Sequence, residues 1–476
     1  MTVDPSPSDA RRIVPSGLGE RGILAILGTA ALAYSIMQTM VLPAIPSLGE
    51  SLDADPVAVT WVVSGFFVSS AVSIPVVGRL GDVHGRVRVL NITMAVFAAA
   101  TVAAALAPSL ETLVASRVLQ GVGAAVFPLS YAIVRDLLEG PAARRGMGVV
   151  SATFGVGSGV GYVMGGPVLD ALGWRGLFWV GFVPAVATVA LLPLLPRAVG
   201  TERRRMDWVG AAVLSVSLAS LLIAIGEGGE WGWTSPVTVA LAGLAIVGAV
   251  AWVVLERRVR EPMADMAMFL RPAMVTVNAC AFMLGYALFA MFVLVPGFVS
   301  ADPDRLGYGF ATPDREIGLY FVPYALTMII GGLAAGRAAG VRPVDVLRAG
   351  AIAMAVGLAG LATVPESSWL AACAIGIVGF GTGAGLTALA ELVIDAVRED
   401  ETAVASGLNT MTRMIGMSVA AQAGAAVLAA HLGPGGIAAD GYALAFLFGA
   451  VAAMLAFAGT FALREPRAVE GAAPVA

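Results

Sequence analysis

The amino-acid sequence predicts an all-α polytopic membrane protein with 14 transmembrane helices, on three observations. Hydrophobic residues make up 58% of the 476 residues and charged residues only 13%, whereas about a quarter of a soluble protein is charged. Apolar stretches of about 20 residues, the length that crosses a bilayer, recur along the whole chain. Arginines concentrate in every second connection between these stretches. This composition excludes a soluble globular protein.

The apolar stretches form two groups of six with a pair between them. They lie near 22–46, 58–78, 89–108, 112–134, 147–169 and 175–195, then 208–226 and 236–255, then 274–299, 316–336, 346–364, 369–391, 403–430 and 441–463. The predicted boundaries are a tail at 1–21, a six-helix bundle at 22–196, a linker with two extra helices at 197–273, a second six-helix bundle at 274–463 and a tail at 464–476. The first stretch is expected to remain as a helix, because no small-residue cleavage site precedes it.

The distribution of arginine predicts the orientation in the membrane. The chain has 28 basic residues, all of them arginine. An even number of spans puts both termini on the same side. With the termini in the cytoplasm, 23 of the 28 arginines lie in terminal segments and inward connections, as the positive-inside rule requires. We expect a multi-pass protein of the cell membrane with both termini cytoplasmic.

Residues that could carry metal or redox chemistry are scarce. Cys280 and Cys373 lie within apolar stretches, and His84 and His431 are far apart in the sequence. No disulfide framework and no metal site is expected from this set. The chain has no lysine, which excludes a phosphate-binding loop of the glycine-lysine-serine type and ATP-driven pumping by this chain. We expect no cofactor, no enzymatic activity and no nucleic-acid partner.

The fifth stretch has a high density of glycine. Gly157, Gly161 and Gly165 recur at every fourth position, and Gly166 and Pro167 follow. Residues four apart share one face of a helix, so this face carries no side chains. Glycine is a poor helix former, but a bare face in a bilayer lets a neighbouring backbone approach closely. The pattern indicates either tight packing alone or part of a moving mechanism.

The connection between the second and third spans is a short basic turn. It runs from Gly78 through Asp82 and Gly85 to Arg86. We interpret the two glycines as permitting close helix approach, and the aspartate and arginine as a charge contact between helices. The alternative is an ordinary positive-inside loop.

The fourth span carries a charge within its apolar stretch, in a segment that contains Arg117, Gln120 and Gly121. An arginine in the hydrocarbon costs about 2.5–3.5 kcal/mol on insertion scales. Arg117 is therefore expected to face protein or a water-filled cavity. A structural arginine satisfied by helix carbonyls is the alternative.

These three motifs resemble signatures of the major facilitator superfamily. The basic turn resembles its loop signature, the Arg117 segment its fourth-helix signature, which is associated with proton handling, and the glycine-rich span the antiporter signature of exporters. Fourteen spans with an inserted pair resemble the fourteen-helix drug:proton antiporter family over nearly the whole chain. The resemblance implies that Asp82 faces the start of the 403–430 span and that Arg86 faces Asp136.

Several positions depart from the family pattern: in the basic turn, Val83 and Val87 stand where the family has further basic residues. Tyr162 stands where the fifth helix usually has proline, and Met37 stands where the first helix usually has an aspartate. The other acids found near the spans lie at span ends, at Glu111, Asp170, Glu316, Glu391 and Asp395. No mid-membrane carboxylate is therefore expected, and the arginines within the spans, Arg117 and Arg413, favour neutral or weakly acidic substrates.

Polar side chains within the spans are candidates for lining a central cavity. They are Tyr34, Gln38, Arg117, Asn278, Tyr286, Tyr324, Asn409 and Arg413. Each one could equally form a helix–helix hydrogen bond, but several members of the set are expected to face the cavity.

The resemblance implies a secondary active exporter of small amphipathic molecules, such as drugs, antibiotics or natural products. It would work by alternating access, coupled to protons, as a monomer in the lipid bilayer. A transporter of lipids or lipid-linked molecules is the alternative within the same class. A polytopic membrane enzyme is a remote alternative, since no catalytic cluster of acids or histidines is visible at a membrane face.

Overall fold

Helices make up almost all of the computed structural model, which describes residues 18–54, 56–196, 206–259, 266–337, 341–363, 366–397, 402–433 and 436–463. Within these ranges, 13 helical segments are long and apolar enough to cross a membrane. One of them, Arg145–Leu194, has 50 residues, roughly 75 Å of helix, which exceeds twice the hydrocarbon thickness. Gly173, with φ 65° and ψ 179°, divides it into two spans. The predicted all-α fold class with fourteen spans is confirmed.

The N-terminal half contains six spans. They are α1 (Glu20–Thr39), α2 (Pro56–His84), α3 (Arg86–Ala105), α4 (Leu110–Leu137) and the two arms of Gly140–Leu191 on either side of Gly173, α5 (140–172) and α6 (174–191). Within α4, Val122–Ala125 forms a turn of 3₁₀ helix. The inserted pair is α7 (Trp208–Trp231) and α8 (Pro236–Glu256).

The C-terminal half contains six further spans. They are α9 (Pro272–Ser300), α10 (Phe321–Arg337), α11 (Pro343–Ala362), α12 (Ser368–Ala396), α13 (Thr402–Ala430) and α14 (Ala439–Gly459). A small hairpin of β1 (Leu432–Gly433) and β2 (Gly436–Ile437) precedes α14. The predicted tail at 464–476, most of the tail at 1–21, and 197–205 and 260–265 of the predicted linker lie outside the described residues.

Several spans begin at side chains that satisfy free backbone N–H groups. Ser109, Asp207 and Ser235 accept hydrogen bonds from backbone N–H groups three residues on, at the starts of α4, α7 and α8. Such N-caps replace partners that the first helical turn lacks. In α8, α9 and α11 a proline also occupies the first turn, where its missing N–H costs nothing.

Helix packing separates the two halves and defines the seam between them. Inside the N-terminal half α1 packs on α5, and inside the C-terminal half α10 and α11 pack on α12 while α9 packs on α13 and α14. Across the seam α5 contacts α10, and α13 contacts α2 and α4. The inserted α7 packs on α8, α2 and α13, so the inserted pair lies beside the seam. Only 17% of the apolar window of α8 is buried, as expected for a lipid-facing helix.

Two names describe the ends of the bundle. The loop end carries the α2–α3 turn at Gly85, and the far end carries the β1–β2 hairpin.

Candidate functional site

A cavity lies between the two halves of the bundle, on the loop-end portions of α4, α5, α12 and α13. The empty space between its walls is about 540 Å³ when adjoining open solvent is included, so the enclosed part is smaller. It is lined by Phe127, Tyr131, Met147, Phe154, Leu386, Leu389, Ala390, Val393, Ile394, Ser406, Asn409, Thr410 and Arg413. The wall is mostly apolar, its polar side chains lie mainly on α13, and no carboxylate is among the described residues that line it. Such a surface suits an amphipathic molecule.

Arg413 is the cation of this cavity. Its guanidinium carbon lies 5.4 Å from the centroid of the Phe154 ring, which belongs to the other half. The stem of Arg413 passes over Gly285 of α9, where a Cβ atom would meet the Arg413 Cγ atom at 2.9 Å. Glycine at that position therefore lets α13 approach α9 closely.

Asn409 lies one turn before Arg413 on α13, and it also lines the cavity. Its amide nitrogen donates to the Oδ1 atom of Asn278 on α9, at 3.1 Å. The Nδ2 atom of Asn278 is buried and has no hydrogen-bond partner among the described residues. The pair joins α9 to α13 at the cavity wall.

The seam is closed at the far end by aromatic rings. Tyr162 of α5 stacks on Phe321 of α10, with centroids 3.9 Å apart, and on Phe292 of α9, at 5.3 Å. The Tyr162 hydroxyl donates to the backbone carbonyl of Phe292 at 2.6 Å. Phe67 of α2 meets Phe289 of α9 edge to face at 5.0 Å. These contacts join the two halves on the side opposite to the cavity.

Pro296 explains why the carbonyl of Phe292 can accept that bond. Proline has no backbone N–H, so the carbonyl four residues earlier in a helix loses its partner. Pro296 lies within α9, four residues after Phe292. Tyr162 of the opposite half supplies the missing donor. The position that departs from the family pattern thus carries a hydrogen bond between the halves.

One glycine face of α5 packs against α1 in the same half. A Cβ atom at Gly161 would lie 2.5 Å from the carbonyl oxygen of Ile36, and one at Gly165 would lie 2.9 Å from that of Met40. At Gly157 it would lie 2.6 Å from the Ser35 side chain. Backbone contacts this close leave no room for a side chain.

A second glycine face of α5 packs against α10 across the seam. A Cβ atom at Gly159 would lie 2.6 Å from the Cβ of Ala325, and one at Gly155 would overlap Met328. The glycine spacing had indicated only the first face. Gly166 is buried and Pro167 is exposed. The backbone stays helical at Pro167, since Gly173 is the residue with non-helical angles within Gly140–Leu191.

Arg117 is enclosed within the N-terminal half. It has no exposed surface and donates to the carbonyl oxygens of Val62 and Met37, at 3.0 and 3.3 Å, and to the Gln120 side chain at 2.9 Å. Its guanidinium also lies 4.1 Å from the Phe66 ring centroid. The expectation that Arg117 lines the cavity is corrected, because its charge is satisfied by carbonyls and an aromatic face.

Five other candidates are not among the residues that line this cavity either, and one of them is Asn278, which bonds to the lining residue Asn409. Tyr34 is fully buried and its hydroxyl lies 3.0 Å from that of Ser70, while Gln38 is 2% exposed. Tyr324 is 1% exposed and packs edge to face on Phe292, and Tyr286 is half-buried. Polar residues in spans pair with neighbouring helices when they can, and the hydropathy pattern does not show which ones do.

The α2–α3 turn holds an ion-pair triad. Arg86 donates to Asp82 through Nε and Nη2, at 3.0 and 2.8 Å, and to Asp136 at the end of α4 through Nη1, at 2.6 Å. The first side chains of α13, towards which Asp82 was expected to face, lie outside the described residues.

The proposed reason for the glycines in this turn needs correction. A Cβ atom at Gly78 or Gly85 would meet nothing within 4 Å, whereas one at Gly81 would overlap Leu129 of α4. Gly85 instead has φ 95°, a conformation that favours glycine. In α4, Gly121 does permit close approach, since its Cβ would lie 2.6 Å from the Phe66 carbonyl oxygen.

Two buried acids escaped the sequence analysis. Glu227 of α7 is 6% exposed and Glu256 of α8 is 3% exposed. Both come one residue after the predicted span ends at 226 and 255, because a hydropathy window stops at the first charge, whereas both helices continue through these residues. No group of three or more metal-binding side chains occurs in the part of the chain that the structure describes.

The fold and the cavity between its halves define a membrane transporter. A model of the Major Facilitator Superfamily matches residues 27–421. The chain belongs to this superfamily and is a multi-pass membrane protein.

Two curated relatives of this chain carry names that refer to drug or antibiotic resistance. The chain is 30% identical over 395 residues to the multidrug resistance protein Stp of Mycobacterium tuberculosis, covering 82% of this chain and 72% of the relative. It is 28% identical over 433 residues to the methylenomycin A resistance protein of Streptomyces coelicolor, covering 89% and 88%. The human organic anion transporter MFSD10 shares the fold, with a TM-score of 0.68 at 18% identity over 94% of this chain and 100% of the other.

Proposed function

We propose that this protein exports small amphipathic molecules by alternating access. The observation that carries the proposal is the cavity between the halves, near the loop end, combined with the aromatic closure at Tyr162, Phe292 and Phe321. The resistance relatives support a drug or antibiotic as the cargo. The arginine distribution supports a cytoplasmic loop end and cytoplasmic termini. In that orientation the cavity is loaded from the cytoplasm.

The two glycine faces of α5 support a mechanism for the alternation. Gly157, Gly161 and Gly165 hold α5 to α1, so both helices move with the N-terminal half. Gly155 and Gly159 meet α10 across the seam. A smooth seam lets the halves rock past each other while each half keeps its own packing. Opening the far end requires Tyr162 to leave the Phe292 carbonyl.

The export cycle is coupled to protons in this proposal. The cavity offers no acid among its lining residues. Glu227 is a buried acid on α7, a helix that packs on both α2 and α13. A methyl group at the adjacent Gly226 would lie 3.8 Å from the amide nitrogen of Gln422 on α13. A carboxylate there can respond to movement of α13.

Reconstitution into liposomes tests the export proposal directly. The purified protein is placed in liposomes with an imposed pH gradient, and accumulation is measured for a panel of cationic, neutral and anionic amphipathic dyes. We expect at least one class to accumulate, and dissipating the gradient to stop it. Protein-free liposomes and Gly159→Trp, which would wedge the seam open beside Ala325, serve as controls. If correctly folded protein accumulates no class of dye, the proposal is contradicted.

A further inference from the structure

We infer that Arg413 forms an anion-binding subsite in the cavity, so that the preferred cargo is an amphiphile with a carboxylate, sulfonate or phosphate head and an apolar body. This inference rests on the proposed export function and specifies its substrate class. It differs from the sequence-based expectation, which counted Arg117 as a second cation in the same space. Arg117 is enclosed elsewhere, so the charge is localised at one side chain.

Among the described residues that line the cavity, none is an acid that could pair with the charge of Arg413. Its Nε atom is buried and has no hydrogen-bond partner among the described residues. By contrast, Arg117 meets two carbonyls and a glutamine, and Arg86 meets two aspartates. A guanidinium presents several donors in a planar fork, so Arg413 retains the capacity to bind an anion.

The nearest acids on α12 point away from the cavity. The lining positions on this helix are 386, 389, 390, 393 and 394, which fall within one sector when each residue turns by about 100°. Glu391 and Asp395 fall outside that sector, and both are exposed. They therefore do not neutralise Arg413 across the cavity.

The surroundings of Arg413 suit an anionic head on an apolar body. Hydroxyl and amide groups of Ser406, Asn409 and Thr410 line the same wall on α13. The Phe154 ring holds the guanidinium from the opposite half, and cation–π contacts of this kind fix an arginine without consuming its donors. Away from this polar strip the wall is aliphatic and aromatic. Charge attraction is strong in such a low-dielectric space, and guanidinium matches carboxylate geometry with two parallel bonds.

A pair of probes that differ in one charged group tests the subsite. Anilinonaphthalene sulfonate is anionic, and N-phenylnaphthylamine is its uncharged counterpart. Binding of each to the full-length protein in lipid nanodiscs is measured by equilibrium dialysis, with empty nanodiscs subtracting partition into lipid. We expect wild-type protein to prefer the anionic probe and Arg413→Gln to weaken its binding by roughly 10- to 150-fold, the effect of losing a charged hydrogen bond. Binding of the neutral probe should stay within about threefold.

Two further variants sharpen the result. Arg413→Lys keeps the charge and should retain part of the preference, because an ammonium attracts anions without the planar fork. Arg342→Gln removes an exposed arginine that pairs with Asp345 at 2.8 Å, and it should change neither probe. Equal loss of both probes in Arg413→Gln would overturn the inference. If that variant does not fold, wild-type protein that binds the neutral probe as tightly as the anionic one overturns it instead.

The outcomes separate this inference from the export proposal. If binding of the anionic probe depends on Arg413 but no dye moves in proteoliposomes, the export proposal is wrong and the subsite is supported. If dyes accumulate to the same extent whatever their charge, and Arg413→Gln does not change this accumulation, the subsite is wrong and the export proposal is supported.

Discussion

The hydroxyl of Tyr162 donates to the backbone carbonyl of Phe292 at 2.6 Å, and the two residues belong to different halves of the protein. The carbonyl is available because Pro296 cannot donate to it. A polar contact to a freed helix carbonyl, surrounded by stacked rings, is short-ranged and directional. It is therefore either made or broken when the halves rock, with little in between.

Replacing Tyr162 by phenylalanine should shift the protein towards a conformation open at the far end. The stacked ring remains, while one hydrogen bond with a net value of about 0.5–1.5 kcal/mol is lost. The shift is measured as a longer distance between spin labels at Leu172 and Leu319, exposed far-end positions on opposite sides of the seam. Tyr308→Phe is the control, because its hydroxyl bonds to Ile437 within one half at 2.8 Å. An unchanged distance in Tyr162→Phe would refute the role of this bond in closure.

Alanine at Gly161 should lower the stability of the protein, whereas alanine at Gly159 should change the distance between its halves. The Gly161 Cβ would press on the Ile36 carbonyl within one half, so Gly161→Ala should lower the melting temperature, as overpacking by about 1–3 kcal/mol does. The Gly159 Cβ would press on Ala325 of the other half, so Gly159→Ala should keep stability and widen the far end. Thermal unfolding in detergent and the same spin-label distance distinguish them. Equal destabilisation of both variants would argue against two separate faces.

Replacing Arg117 by glutamine should destabilise the protein without changing its charge selectivity. The side chain donates to carbonyls of α1 and α2 and is not among the described residues that line the cavity, and hydrogen bonds to a charged group are worth about 1.5–3 kcal/mol. Thermal unfolding should show the loss, and transport of anionic and neutral dyes should fall together. Arg413→Gln is the matched comparison. A selective loss of anionic dyes in Arg117→Gln would return this residue to the substrate path.

Neutralising Asp136 should lower the transport rate while leaving expression intact, and Asp82→Asn should do the same. Each variant removes one of the two negative charges that pair with Arg86, in a triad with side chains 18–25% exposed, where an ion pair is worth on the order of 1 kcal/mol. Initial rates in proteoliposomes provide the measurement. Arg145→Gln, which breaks the more exposed pair with Glu20, should have no effect. Wild-type rates in both aspartate variants would reduce the triad to a topology signal.

Glu227→Gln tests where the pH gradient acts. If this buried carboxylate couples proton movement to α13, the variant should lose gradient-driven accumulation by an order of magnitude or more, since intramembrane acids serve as proton relays. Exchange of dye across the membrane without a gradient should persist. Asp170→Asn removes an exposed acid at the end of α5 and should leave both activities unchanged. If Glu227→Gln keeps full gradient-driven transport, Glu227 is not the group that couples transport to protons.

The positions of the spans could be predicted from hydropathy. Backbone N–H and C=O groups in lipid have no water to bond to, so an apolar segment that crosses the membrane forms a helix, which pairs them internally. The destinations of individual polar side chains did not follow in the same way. An arginine within a span needs partners for its charge and its N–H groups, and the sequence does not distinguish Arg117 from Arg413 in this respect. Only the packing of the helices places Arg117 against backbone carbonyls and Arg413 at a cavity. Likewise, glycines four apart define a face, whereas the neighbour against it is set by the whole bundle. Glu227 was missed for a simpler reason, since the predicted span stopped one residue before it.

The described lining residues of the cavity include one cation, Arg413, and no acid, and this has an electrical consequence. When a carrier releases a singly charged anion outside and returns empty, one negative charge leaves the cell and Arg413 stays behind with the protein. Moving an elementary charge across the membrane is worth about 2.3 kcal/mol per 100 mV, which corresponds to roughly a fiftyfold concentration ratio. An inside-negative voltage would therefore pull such a cargo outward by itself. Membrane voltage, set with a potassium gradient and valinomycin, then becomes a driving force that needs no titrating group in the cavity.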